Sequence, residues 1–249
     1  MEGQKTIDSR ICKNIKNCFA GYICMVANGA MADELRRHHI KYWNSLLNHK
    51  FIFEMAADSL AAEKFAFYLR QDQIFLKEFC IFLLNAKQNL IDQKLMTWFE
   101  SLYCSTVDEM RMQRELIQSL GVSNNNNSAA APATLNYVAF LRKVSASPKN
   151  LEVMISSMAP CPWSYFEIAQ KLSKYNIKTE IYHKWIQFYA SNESQKQVNE
   201  LKNILGSRYG QADKDKRLLM EKYFGTACKH EYEFWEMAYQ SHTLSANGR

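Results

Sequence analysis

Glycine and proline are scarce: 8 Gly and 4 Pro in 249 residues. That composition excludes collagen-like and linker-like chains. No run of about 18 apolar residues exists, so no spanning helix is expected. No block of five like charges occurs, and the net charge is only +6, which reads as a solvated surface rather than a nucleic-acid tract. The seven cysteines are odd in number and form no C-x-x-C pair, so neither a disulfide framework nor a zinc site is expected. A reducing compartment follows. Cys80 and Cys104 lie in apolar helical runs and read as small core residues. There is no Gly-rich phosphate loop.

Hydrophobic residues make up 47% and aromatic residues 13%, enough for a sizeable core. From Met31 to Leu120 there is neither Gly nor Pro, which favours long helices. Helical periodicity marks Asp33–Asn48, Ala61–Lys87 and Gln93–Ser119. Phe65, Tyr68, Leu69, Asp72, Phe75, Leu76 and Phe79 recur at spacings of three and four and form one face. Gly121 suits a C-cap. Asn124 to Pro132 is a low-complexity loop. Ala133–Val144 reads as a helix capped at Thr134 or Ala133. Ser147-Pro148 and Cys161-Pro162 read as helix restarts, followed by helices Glu180–Ala190, Glu193–Leu205 and Lys214–Tyr239. No alternating strand pattern and no internal repeat occur. The fold class expected is all-α in one domain: an N-terminal extension over 1–30, a helical domain over 31–240 and a tail over 241–249. Basic residues ahead of an apolar stretch give the extension some character of a targeting peptide, against which stand Glu2, Asp8, Asn28 and Gly29.

Three local patterns can carry chemistry. Cys161 sits between Pro160 and Pro162, where an extended chain turns into a helix. A thiol at a helix N-terminus is favoured as the thiolate, the form that attacks electrophiles. Tyr165 shares its face. The plainer reading is a cysteine packed in a helix–helix turn. Glu231 shares a face with Phe234, Trp235 and Ala238, whereas Glu233 and Glu236 point elsewhere. Desolvation there raises a carboxyl pKa toward proton-transfer range; a core hydrogen bond is the alternative. Asp72, between Tyr68 and Phe75, suits a flat heterocycle with an amino group, or else pairs with a neighbouring helix. Tyr137 and Tyr189 are further helical aromatics. Glu180-x-x-His183 is half of a di-iron motif whose second copy is missing, and no other metal-ligand pattern is present.

Together these segments resemble the TenA family, also called thiaminase II, of haem-oxygenase-like helical fold. The resemblance runs from about Leu35 to Tyr239. It rests on Asn48-His49-Lys50-Phe51, Phe65-x-x-Tyr68-Leu69-x-Gln71-Asp72, Thr134-x-x-Tyr137, Pro160-Cys161-x-Trp163-x-Tyr165, Trp185-x-x-x-Tyr189 and Glu231-x-x-Phe234-Trp235-x-Met237-Ala238-Tyr239. It implies hydrolysis of 4-amino-5-aminomethyl-2-methylpyrimidine to the hydroxymethyl pyrimidine and ammonia, with thiamin as a further substrate, in thiamin salvage. It implies Cys161 as nucleophile and Glu231 as acid–base group. It implies substrate binding by Asp72, Phe75, Tyr137, Tyr165 and Tyr189. No metal or organic cofactor is implied. The expected partner is the small-molecule pyrimidine, with no nucleic acid or membrane. The expected protein is a cytoplasmic homo-oligomer, a tetramer by resemblance, or organellar if residues 1–30 target it. A non-catalytic pyrimidine-binding protein on the same scaffold is the alternative. Lys50, Asp58, Pro162 and Phe75 depart from the usual Pro, Gly, aromatic and Tyr. The first three touch turns; Phe75 keeps a ring but loses a hydroxyl.

Overall fold

A computed structural model describes residues 9–88, 90–121, 129–146 and 150–246, with side chains between 24 and 241. Among these residues all regular structure is helical. The helices are α1 (Ser9–His38), α2 (Ile40–Leu47), α3 (Lys50–Ala56), α4 (Ala62–Lys87), α5 (Gln93–Ser119), α6 (Pro132–Ser145), α7 (Leu151–Met158), α8 (Pro160–Leu172), α9 (Glu180–Tyr189), α10 (Asn192–Gln211) and α11 (Lys214–Ala246). Helix α11 is the central strut, touching α2, α3, α4, α6, α7 and α8. Helix α4 packs on α5 and α6, and α1 lies along α10. No helix among the described residues is long and apolar enough to cross a membrane.

Caps explain several boundaries. Asp92 Oδ1 accepts from Lys94 N (2.9 Å) and Leu95 N (3.3 Å) at the start of α5. Asn150 Oδ1 accepts from Val153 N (3.1 Å) at the start of α7. Ser191 Oγ accepts from Ser194 N (3.2 Å) at the start of α10. Each satisfies an N–H that has no intrahelical partner. Gly121 ends α5 at φ +60°, the left-handed conformation glycine adopts without strain.

Several expectations need correction. Asp33–Asn48 is not one helix, because His39 breaks it at φ −117°. The His39 ring packs where a side chain on Gly225 would stand: an added Cβ would lie 2.3 Å from its Cε1. Thr134 does not cap α6. Ala131 is the N-cap with Pro132 behind it, and Thr134 Oγ1 instead donates to Gln71 Oε1 (2.7 Å). Gln71 also accepts from Ala131 N (2.9 Å) and donates to Ala129 O (3.2 Å), pinning the approach to α6. The Asn-rich loop and the Ser147-Pro148 restart lie largely or wholly outside the described residues. Cys104 is exposed, on the face of α5 opposite its buried stripe, and Cys80 is only half-buried, at the edge of the stripe on α4. Helix α10 continues past Leu205 to Gln211, and α11 past Tyr239 to Ala246.

Two packing devices set the frame around the site. Glu167 on α8 accepts from Arg36 Nη1 (2.8 Å), Trp43 Nε1 (2.9 Å) and Trp163 Nε1 (2.8 Å), tying α1, α2 and α8 with charge-assisted bonds. Asp58, where the resemblance expects glycine, takes φ +56°. Its carboxylate accepts from Lys178 N (3.0 Å) and Thr179 N (3.3 Å), which offsets the strain of that backbone.

At Gly206 helices α1 and α10 approach closely, since a Cβ there would stand 1.7 Å from Asn28 O. Gly210, one turn on, would meet only Met31 Cγ at 3.5 Å. Gly206→Ala should therefore destabilise the protein by about 1–3 kcal/mol or more. Gly210→Ala should be neutral or stabilise by up to ~1 kcal/mol. Thermal or denaturant unfolding of both variants checks this; equal stabilities would contradict the close-approach account.

Candidate active site

The inward face of α4 carries Asp72 into the core. Tyr68 OH donates to Asp72 Oδ2 (3.2 Å), and Gln113 Nε2 from α5 donates to the same oxygen (2.6 Å). Burial pushes the Asp72 carboxyl up to about 7, and these two hydrogen bonds restrain the rise. Phe75, one turn on, lies 4.5 Å from the Tyr137 ring and 5.8 Å from Phe79.

Helix α11 brings Glu231 to the opposite side. It is 2% exposed, and Tyr137 OH donates to its Oε1 (2.7 Å). Burial pushes this carboxyl up to about 8; the Tyr137 bond pulls it down, nearby Asp72 pushes it up, and a hydrogen bond with Cys161 pulls it down. As the periodicity predicts, Phe234, Trp235 and Ala238 are buried with it, while Glu236 turns away to His49 Nε2 (3.0 Å).

Cys161 is the second residue of α8, and its thiol faces Glu231. The expected thiolate is not favoured. Burial, and then the charges of Glu231, Glu109 and Asp72, push the thiol well above its usual value. The helix terminus does not offset this. Pro160 and Pro162 have no N–H to offer. Ala159 is itself helical rather than extended, so the last turn of α7 abuts the first turn of α8. The open amide cluster of a free helix start is absent here.

Tyr165 stands one turn beyond Cys161. Its ring centroid lies 5.2 Å from both Tyr189 and Trp235. Trp235 in turn stacks on Tyr68 at 4.9 Å. Asp72, Cys161, Tyr165 and Tyr189 line one partly enclosed cavity. Glu231, Tyr137 and Phe75 do not line it; they stand behind it, Glu231 against Cys161 and Tyr137 against Phe75. The Glu180-x-x-His183 pair is elsewhere: Glu180 pairs with Lys184 (2.7 Å) and His183 meets Gln187 (2.8 Å). Among the described residues no group of three His, Cys, Asp or Glu is arranged to hold a metal ion.

Two residues of this site are absent from the sequence reading. Glu109 lines the cavity, accepts a hydrogen bond from Tyr189 OH, and is pushed well above the carboxylate range by burial and by Asp72. Gln113, 0% exposed, lies between them; its Nε2 reaches Asp72, Glu109 (3.4 Å) and Tyr189 OH (3.3 Å). A signal for both exists. Leu95, Trp98, Leu102, Thr106, Gln113 and Leu116 are buried on α5 at spacings of three, four and seven, and Glu109 falls on that stripe.

A family model described as TENA/THI-4/PQQC family matches residues 36–241. A relative from Halalkalibacterium halodurans, named aminopyrimidine aminohydrolase, is 29% identical over 211 residues, 83% of this chain and 94% of that protein. The solved structure of a TenA homologue from P. horikoshii OT3 superposes with a TM-score of 0.74 at 26% identity, covering 84% of this chain and 98% of that one. A Shewanella denitrificans domain, described as having a heme oxygenase-like fold, superposes with a TM-score of 0.68 at 16% identity, covering 87% of this chain and 95% of that one. The resemblance in the motifs, the all-helical fold and the matched span agree: the chain belongs to the TENA/THI-4/PQQC family.

Proposed function

We propose that this protein is an aminopyrimidine aminohydrolase of the thiaminase II type. It hydrolyses 4-amino-5-aminomethyl-2-methylpyrimidine to the hydroxymethyl pyrimidine and ammonia, accepts thiamin as a further substrate, and serves thiamin salvage. One observation carries the reading. A thiol, Cys161, faces a buried carboxyl, Glu231, beside a cavity that also presents Asp72 and the rings of Tyr165 and Tyr189. A site that only binds a pyrimidine needs the rings and one polar partner; it has no use for a thiol set against a base. The names of relatives, aminopyrimidine aminohydrolases, support the same activity.

The chemistry follows from these groups. The substrate's ring lies between the Tyr165 and Tyr189 side of the cavity and Asp72, with the amidine edge on the Asp72 carboxyl. Cys161 gives its proton to the Glu231 carboxylate, and its sulfur bonds to the ring carbon beside the ring nitrogen. That nitrogen takes a proton from Asp72. The loss of aromaticity makes the exocyclic C–N bond labile. It breaks with both electrons going to the protonated amine, which departs as ammonia. Water adds to the methylene and gives its extra proton to the ammonia. The C–S bond then breaks, Glu231 returns the proton to sulfur, and the ring nitrogen returns its proton to Asp72. The net change is substrate ammonium plus water to alcohol plus ammonium. Thiamin follows the same course with a neutral thiazole as leaving group. Tyr137 positions Glu231 through its 2.7 Å hydrogen bond, and Phe75 holds Tyr137. No metal or cofactor enters any step. The helical domain over 31–240 carries the whole site. A cytoplasmic homotetramer is the assembly proposed on the family resemblance.

Two outcomes test this reading. Purified protein should release ammonia and hydroxymethyl pyrimidine from the aminomethyl substrate, followed by chromatography. Cys161→Ser should lose at least ~1000-fold in kcat/KM and still bind the pyrimidine. Turnover that survives the substitution removes Cys161 from the mechanism; tight binding without turnover in the unaltered protein makes this a binding protein. The second outcome is the pH profile. Glu231 must be ionised to take the thiol proton, and Asp72 must be protonated to give one. Activity should therefore rise toward about 8 on the acid side, fall on the alkaline side, and peak between about 7 and about 8. Glu231→Gln should cost roughly 100-fold and abolish the acid limb. An acid limb unchanged in that variant would contradict the assignment of the base.

A further inference from the structure

The cavity has an imbalance that the reaction scheme leaves unused. Asp72 and Glu109 both line it, and Glu231 stands behind Cys161. No Lys, Arg or His is among its lining residues. Two carboxyl groups thus line one partly enclosed space with a third close behind it, and among the described residues no cation lines it to balance them. In such a space like charges cannot all ionise; protons or a bound cation must supply the balance.

The hydrogen bonding at the two lining carboxyls is one-sided. Asp72 takes both its protein hydrogen bonds, from Tyr68 and Gln113, on Oδ2. Glu109 takes both of its own, from Tyr189 and Gln113, on Oε1. The Gln113 amide bridges the pair and is itself fixed, because Gln73 Nε2 donates to its Oε1 (3.0 Å). Each carboxyl keeps a second oxygen with no donor among the described residues. Glu109 is enclosed by the fold yet half-buried, and it borders the cavity. Tyr165 and Tyr189 stand beside this arm and offer ring faces to a flat ligand.

We propose that Glu109 is a substrate-binding residue that sets specificity: its free oxygen receives the cationic arm of the substrate, the protonated exocyclic amine, while Asp72 holds the ring. This rests on the hydrolase reading and deepens it. A neutral product, with a hydroxyl in place of the ammonium, meets the same carboxyl without the charge attraction. The site therefore discriminates substrate from product by charge, and product release follows from the chemistry itself. Thiamin, whose leaving group is also cationic, satisfies the same requirement.

The test measures binding by calorimetry on the Cys161→Ser protein, so that no turnover intervenes, using the aminomethyl and the hydroxymethyl pyrimidine. Glu109→Gln in that background should weaken the aminomethyl ligand by at least ~10-fold, the scale of a lost charge-assisted hydrogen bond, and the hydroxymethyl ligand by less than ~3-fold. Tyr189→Phe removes the hydrogen bond to Glu109 and leaves its carboxyl in place. It should preserve the preference for the cationic ligand. Equal losses for both ligands in Glu109→Gln, or a Tyr189→Phe variant with the same collapse of preference, would make Glu109 a support for Tyr189 and overturn the proposal. Unchanged binding of both ligands would overturn it as well. If the Cys161→Ser parent binds neither pyrimidine, the hydrolase reading itself falls, which is distinct from the failure of Glu109 alone.

Discussion

Three carboxyl groups and a thiol are enclosed within one aromatic shell, and the remaining features of the site answer to that confinement. Each acid is pushed up by burial, and the thiol is pushed up further by the acids. Burial thus favours the protonated forms, and the cluster is held by hydroxyl and amide donors rather than by ion pairs. Tyr137 holds Glu231, Tyr189 holds Glu109, and Tyr68 with Gln113 holds Asp72. Proton transfer between neighbours of similar affinity is easy in such a site, which is what acid–base work near neutral pH requires. In the proposed reaction the attacking thiolate is a transient species made by Glu231.

Helices supply this geometry because they are rigid and arrive from several directions. Asp72 comes from α4, Glu109 and Gln113 from α5, Tyr137 from α6, Cys161 and Tyr165 from α8, Tyr189 from α9 and Glu231 from α11. Their mutual positions depend on packing far from the chemistry. The Glu167 junction anchors α8 to α1 and α2. His49 accepts from Phe51 N (3.2 Å) at the start of α3 and meets Glu236 of α11. The stack of Tyr68, Trp235 and Tyr165 joins α4, α11 and α8 directly beneath the cavity. The surrounding core stabilises the fold enough to tolerate acids that burial makes costly.

Much of this was legible in the residues. The bounds of α5 follow from the helical periodicity and a closing glycine, and those of α4 fall within one residue of the pattern. The aromatic face of α4 and the buried side of Glu231 follow from spacing alone. Three things were hidden, each for a physical reason. The break at His39 sets its ring against the bare backbone of Gly225, a contact far along the chain that local spacing does not show. The state of the Cys161 thiol depends on which charges surround it, and helix position alone points the wrong way. Glu109 sits beside Asp108 in a run rich in charge, where polarity suggests solvent. Only the stripe from Leu95 to Leu116 shows that it turns inward. The role of nucleophile proposed for the thiol rests on family resemblance, since local spacing leaves it open.

The fold itself forces Glu231 toward its protonated form. Its carboxyl has an ordinary value of 4.5 and is pushed up to about 8. A group raised in this way contributes its stabilisation fully below the unfolded value and loses it as pH rises through the folded one. The direct measurement is denaturant unfolding of the unaltered protein and of Glu231→Gln, compared from about pH 5 to about pH 9. The account predicts that the variant gains on the unaltered protein across this range, by a few kcal/mol, and that the gain levels off above about 8. Stabilities that run parallel with pH would mean that Glu231 titrates normally, and the confined acid cluster would not be the organising feature of this site.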